Sequence, residues 1–124
     1  MSTHVLLVDD NELNRHLACF LLEEAGLRVT TASNGPAALA AARASRPDLV
    51  LMDIRMPVMD GYEATRLLKA DPALGDVPVA ALSAHALPHE KALALQCGCI
   101  AHIEKPIDVE TFVDQVRALL PPAP

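Results

Sequence analysis

Leu49-Val50-Leu51-Met52-Asp53-Ile54-Arg55-Met56-Pro57-Val58-Met59-Asp60-Gly61 is the stretch whose reading decides the fold. Leu49 to Met52 form an unbroken apolar run that stops at an acid. A short continuous run of this kind suits a strand covered on both faces, as in a parallel sheet. Pro57 and Gly61 shape the turn that follows. Met52 belongs to the core, and Met56 and Met59 pack in the loop.

Outward from this stretch the same signature recurs at Val5 to Val8, Val29 to Ala32, Val79 to Leu82 and Ile100 to Ile103. Helical patterns lie between the runs. Leu13, Leu17, Phe20 and Leu21 fall on one helical face, which predicts the buried side of a first helix ending near Gly26. Asn34-Gly35-Pro36 starts a second helix, which reaches Ser45 and stops at Pro47. A third runs from Tyr62 to Ala70, and a fourth from Leu87 to Gln96 with Gly98 as its stop. Val109, Phe112, Val113, Val116 and Leu120 form the apolar stripe of a fifth, closed by Pro121-Pro122. Strand and helix alternating five times predict an α/β domain with a parallel sheet and helices on both faces.

Composition agrees. With 124 residues the chain is one domain, and 52% hydrophobic residues exclude a disordered or fibrous protein. The aromatic residues are Phe20, Tyr62 and Phe112, so Ala, Leu, Val and Ile must build the core. A net charge of −6 makes nucleic acid and anionic membrane poor partners. Cys19, Cys97 and Cys99 do not form a disulfide framework and fit a reducing cytoplasm. No signal peptide and no membrane-spanning run is present.

The chemistry lies at the ends of the runs. The first ends in Asp9-Asp10, the third in Asp53 and the fourth in Ser83, and the fifth leads into Glu104-Lys105-Pro106. Ligands of open α/β sheets bind beyond the carboxyl ends of the strands. Each residue alone reads as a helix cap. Together they bring three carboxylates, a hydroxyl and a lysine to one edge. Clustered carboxylates need a cation or a shared proton. Oxygen-only ligands favour a hard ion, Mg²⁺ where phosphate is involved. Such an ion makes an aspartate usable as a nucleophile toward a phosphoryl group, and Lys105 adds charge to the transferring oxygens.

Asp9-Asp10-Asn11-Glu12, Leu51 to Gly61, Ala81-Leu82-Ser83-Ala84 and Lys105-Pro106, in this order and spacing, resemble the response-regulator receiver domain of two-component signalling. The resemblance covers His4 to Leu120 and implies a flavodoxin-like doubly wound sheet of five parallel strands in the order 2-1-3-4-5 with five helices. It implies that Asp53 is the phosphoacceptor. Asp10 binds the metal directly, Asp9 acts partly through water, and the backbone carbonyl of Arg55 is a further ligand. Ser83 hydrogen-bonds the phosphoryl group, Lys105 pairs with it, and a cis peptide precedes Pro106. The partners implied are a sensor histidine kinase or a histidine phosphotransfer protein. A downstream protein would dock on the face made by the fourth helix, fifth strand and fifth helix. The only catalysis implied is of the chain's own phosphorylation and dephosphorylation. Asn11 to Arg15 resembles stand-alone receivers and those of hybrid kinases. A receiver over residues 1–120 with a Pro-rich tail at 121–124, free-standing and cytoplasmic, is the expectation.

His102 departs from the family pattern, standing where a switch Tyr or Phe is usual. Arg55 and His85, two residues beyond Asp53 and Ser83, are expected to border the path of a hydrolytic water, and small Ala84 leaves the phosphoryl oxygens approachable. A haloacid-dehalogenase-like phosphatase is disfavoured, since it wants an Asp where Arg55 stands and a cap domain that is missing. A flavin-binding flavodoxin would need a phosphate loop where Asp9-Asp10 stands. Cys97, Cys99 and His102 lack the spacing of a zinc site, and the five histidines form no catalytic triad.

Overall fold

The computed structural model describes residues 3–84 and 87–120; His85 and the tail at 121–124 therefore lie outside the described residues. Five strands and five helices alternate: β1 (His4–Val8), α1 (Glu12–Glu24), β2 (Arg28–Ala32), α2 (Gly35–Ala44), β3 (Leu49–Asp53), α3 (Gly61–Ala70), β4 (Val79–Ser83), α4 (Pro88–Cys97), β5 (Ala101–Glu104) and α5 (Phe112–Leu119). The strands form one parallel sheet in the order β2-β1-β3-β4-β5, as expected. Parallel strands need crossovers, and the helices that supply them cover both faces.

Side chains of a strand alternate between faces, so the sheet separates two cores. Val5, Leu7, Leu49, Leu51, Ala80 and Leu82 pack with Ala18 and Leu22 of α1 and with Phe112 and Val116 of α5. Leu6, Val8, Val50, Met52, Val79 and Ala81 pack with Ala38 and Leu39 of α2, Leu68 of α3 and Ala94 of α4. Met52 and Met56 are buried in this second core, with Met59 packed against it.

Three details differ from the sequence reading. The first concerns α1. Leu13 is 80% exposed and Phe20 60%, and the buried residues are Ala18 and Leu22. At 3.6 residues per turn, Ala18 and Leu22 lie about 140° and 180° around the helix from Leu13. The helix carries two apolar stripes, and the one with the small alanine lies against the sheet. Leu21, on the margin between them, is half-buried. The second concerns β5, which begins at Ala101 and includes Glu104, leaving Ile100 exposed before it. The third concerns α5, which begins at Phe112, so Val109 stands outside the helix and is exposed. The expected helix ends hold at Gly26 (φ +89°) and Gly98 (φ +110°), both left-handed. α2 carries its proline in the first turn under an Asn34 cap.

One turn sets the site. Gly61 opens α3 with its N–H donated to the Ile54 carbonyl at 2.9 Å. A β-carbon here would collide with the backbone carbonyl of Asp53. The sequence therefore brings α3 directly against the end of β3, and the loop between them is held down beside Asp53.

Candidate functional site

Asp9 follows β1 and Asp53 ends β3, and the pairing of β1 with β3 sets the two ends side by side. Asp9 is held from several directions. Its backbone N–H donates to Ala32 O (3.1 Å), its Oδ1 accepts from Asn11 N–H (2.9 Å), and its carbonyl accepts from Arg15 Nη1 (2.9 Å). Asn11 also caps α1, accepting from Asn14 N–H. Asp9 and Asp53 are buried and Asp10 is exposed. Each offers a carboxylate oxygen, and these oxygens lie within 4.8 Å of one another. Lys105 Nζ reaches Asp9 Oδ2 at 3.2 Å and Asp53 Oδ1 at 3.1 Å.

One lysine cannot offset three carboxylates. Burial pushes the Asp53 carboxyl up to about 7 against the opposing pull of Lys105, and the charge of Asp9 adds to the rise. Asp53 Oδ2 is buried and has no hydrogen-bond partner among the described residues. An oxygen-only donor set with excess negative charge and one unsatisfied buried oxygen fits a hard divalent cation.

Ser83 ends β4, and its carbonyl accepts from Lys105 N–H at 2.9 Å, which ties the lysine's backbone to the same edge. The expected cis peptide joins Lys105 to Pro106. Exposed Ala84 follows Ser83. Thus Asp9, Asp10, Asp53, Ser83 and Lys105 gather at one edge, as their positions after the strands predict. The Arg55 side chain is largely exposed, and its Nη2 donates to Glu90 Oε1 at 3.3 Å. His85 falls outside the described residues.

His102 stands on β5 opposite Ala81. With Lys91, Ala94, Leu95, Cys99 and Ala101 it lines a cavity of about 280 Å³ between α4 and β5. Both ring nitrogens are buried without a partner among the described residues. Burial first, then the charge of Lys91, lowers its pKa. Cys97 and Cys99 are buried free thiols. Burial pushes the Cys99 thiol up, and among the described residues only the acidic trio groups as metal ligands would.

Sequence reasoning missed Glu90. It is 7% exposed, in the first turn of α4, and its Oε2 accepts from Ser83 Oγ at 3.4 Å. Its one sequence signal is an acid seven residues beyond Ser83 in a first turn, which ordinarily reads as a charge favoured by the helix dipole.

Comparison with known proteins agrees with this geometry. The family model for the response regulator receiver domain matches residues 5–117. The polar-differentiation response regulator DivK of Brucella anthropi is 42% identical over 120 residues, covering 97% of this chain and 98% of that protein. Among solved structures, the chemotaxis protein CheY4 of Vibrio cholerae superposes with a TM-score of 0.93 at 30% identity, covering 97% of this chain and 100% of that one. The receiver domain of a Pseudomonas aeruginosa sensor histidine kinase, solved with a magnesium ion coordinated in its active-site cleft, gives 0.87 at 34% identity, covering 96% and 98%. An α/β sheet with an acidic pocket and a lysine at its carboxyl edge defines a phosphoacceptor class of signalling domain. The chain belongs to the response-regulator receiver family of two-component signalling. No helix among the described residues is long and apolar enough to cross a membrane.

Proposed function

We propose that Asp53 accepts a phosphoryl group from a phosphohistidine of a sensor histidine kinase or histidine phosphotransfer protein. The observation that carries this reading is the gathering of Asp9, Asp10 and Asp53 within 4.8 Å, with Lys105 joining two of them. An Asp53 oxygen attacks phosphorus. The P–O bond forms as the P–N bond of the donor breaks, and its electron pair stays on the imidazole nitrogen. Attack by water on phosphorus later returns the carboxylate and releases phosphate. The chain's catalysis is confined to these two steps.

Asp10, Asp9, Asp53 and the backbone carbonyl of Arg55 would hold Mg²⁺, which supplies positive charge to the carboxylates and the transferring oxygens. Lys105 pairs with a phosphoryl oxygen and Ser83 donates its hydroxyl to another. Ala84 leaves the approach open, and Arg55 borders the path of the hydrolytic water, a role the sequence also suggests for His85, which lies outside the described residues. A receiver over residues 1–120 with a tail at 121–124, working in the cytoplasm, is part of this reading.

Two exposed faces suit the partners. Leu13, Leu17 and Phe20 form an apolar surface on α1, which begins two residues after Asp10. A donor presenting phosphohistidine to the carboxyl edge meets that surface. Leu95 is exposed on α4 and borders the cavity lined by Ala101 and His102 of β5, within the α4–β5–α5 face proposed for the downstream protein.

Intact-mass measurement after incubation with acetyl phosphate tests the assignment. One phosphoryl adduct is expected with Mg²⁺, and none with EDTA or in Asp53→Asn. An adduct on Asp53→Asn, or one formed without divalent metal, overturns it. Asp10→Asn is expected to weaken metal binding more than Asp9→Asn.

A further inference from the structure

Glu90 is a charged side chain taken into the protein, and it joins three segments around the site. Its Oε2 accepts from Ser83 Oγ at the end of β4 (3.4 Å). Its Oε1 accepts from Arg55 Nη2 in the loop after β3 (3.3 Å). Its backbone carbonyl accepts from the Tyr62 hydroxyl of α3 (3.4 Å). A nearly buried carboxylate needs such partners, because unpaired it loses its hydration without compensation.

Two of the three donors stand next to Asp53. Arg55 follows it by two residues, and Ser83 ends the neighbouring strand, one residue beyond Leu82, which pairs with Asp53. A phosphoryl group on Asp53 carries nearly two negative charges and three strong acceptor oxygens. A hydroxyl has one proton to donate, so Ser83 cannot serve Glu90 and the phosphoryl group fully at once. The like charges of the phosphoryl group and the Glu90 carboxylate also repel. Both effects act in the same direction.

We propose that Glu90 is a latch that phosphorylation of Asp53 opens. In the unphosphorylated protein it holds the Ser83 hydroxyl and the Arg55 guanidinium; the phosphoryl group takes them, and Glu90 swings out with the first turn of α4. It is a positioning residue, acting through Ser83 and Arg55. Bonds of 3.3–3.4 Å are at the long end of the useful range and are readily exchanged. The first turn of α4 has no side-chain cap, since Leu87 occupies that position. A cleft of about 250 Å³ bordered by Arg55, Asp60, His89 and Leu93 lies beside Glu90, and it gives the released carboxylate access to water. The inference rests on the reading of Asp53 as the phosphoacceptor.

The test is calorimetric titration with beryllofluoride and Mg²⁺, the beryllofluoride standing in for the phosphoryl group. Wild type binds at Asp53. Glu90→Gln keeps the shape and removes the charge, and it should bind about fivefold or more tightly because there is less latch to open. In the Ser83→Ala, Arg55→Ala background both donors are gone and only the like-charge repulsion is left, so Glu90→Gln should gain less than half as much as in the wild-type background. A gain of the same size in that background reads the carboxylate's charge alone and overturns the latch, as does no gain in the wild-type background. Hydrogen exchange on the wild-type protein needs no variant. Beryllofluoride should speed exchange at the amides of residues 90–92, and unchanged exchange there overturns the latch. No binding by the wild type at all strikes instead at the assignment of Asp53.

Discussion

β3 and β5 both lead into the site, yet they are built differently. All five residues of β3 are buried, whereas Ile103 is the only buried residue in β5. The helices divide in the same way. α1, α2 and α3 begin with side-chain caps from Asn11, Asn34 and Asp60, and α4 and α5 begin without one. The half of the molecule around β1 and β3 fixes the carboxylates. The half around α4 and β5 carries Glu90, His102 and the exposed Leu93 and Leu95. The carboxylates are fixed in dense packing, and the α4–β5 side, with less burial and no side-chain helix caps, is where local opening is cheaper.

Leucine truncation on the two sides breaks or sharpens this contrast. Leu68 of α3 is fully buried in the core against β3, and Leu95 of α4 is 64% exposed. Leu68→Ala should cost about 2–5 kcal/mol, and Leu95→Ala should stay within about 0.5 kcal/mol. Urea denaturation of both variants measures the difference. Similar losses would mean that α4 is held as firmly as α3.

The same contrast explains what the sequence revealed. Strands of the dense half are continuous apolar runs, so β1 and β3 were legible, and with them the acids at their ends. Asp9, Asp10, Asp53, Ser83 and Lys105 were found because position after a strand is a sequence property that the sheet turns into proximity. β5 was displaced by one residue, since Ile100 extends the apolar run without entering the strand. On α1, a leucine stripe and an Ala18/Leu22 stripe share one helix, and periodicity cannot choose which faces the sheet. Val109 matched the apolar pattern of α5 from outside the helix. Glu90 was missed because a first-turn acid is ordinarily solvated, and only the packed position of α4 turns it inward.

A smaller effect lies at the strained point of the dense half. Val58 has φ +73° and is almost wholly exposed. A β-branched residue in the left-handed region is strained by about 1–3 kcal/mol, while glycine there costs about 0.5–1 kcal/mol in unfolded-state entropy. Val58→Gly should therefore stabilise the protein by about 1 kcal/mol. A raised urea midpoint with unchanged slope is the expected result. A lowered midpoint would mean that the loop beside Asp53 does not bear this strain.

The smallest effect concerns His102 in the looser half. Its ring is half-buried beside a cavity, with neither nitrogen paired among the described residues. Burial and Lys91 lower its pKa below the usual value, against the opposing pull of Glu104 and Glu90. The unfolded chain therefore takes up this proton at a higher pH than the folded one. The stability contributed by the neutral ring is fully present above the unfolded value, about 6.5, and is lost as pH falls through that value toward the lowered folded one. His102→Phe keeps a ring and removes both the unpaired nitrogens and the titration. At pH 7.5 it should be neutral or stabilising by less than about 1 kcal/mol. Its advantage over wild type should grow as the pH is lowered to 5.5. Urea midpoints of both proteins at the two pH values cancel every titration they share. A difference that does not change with pH would mean that His102 is protonated as readily folded as unfolded, and that the α4–β5 side is wet enough to charge it freely.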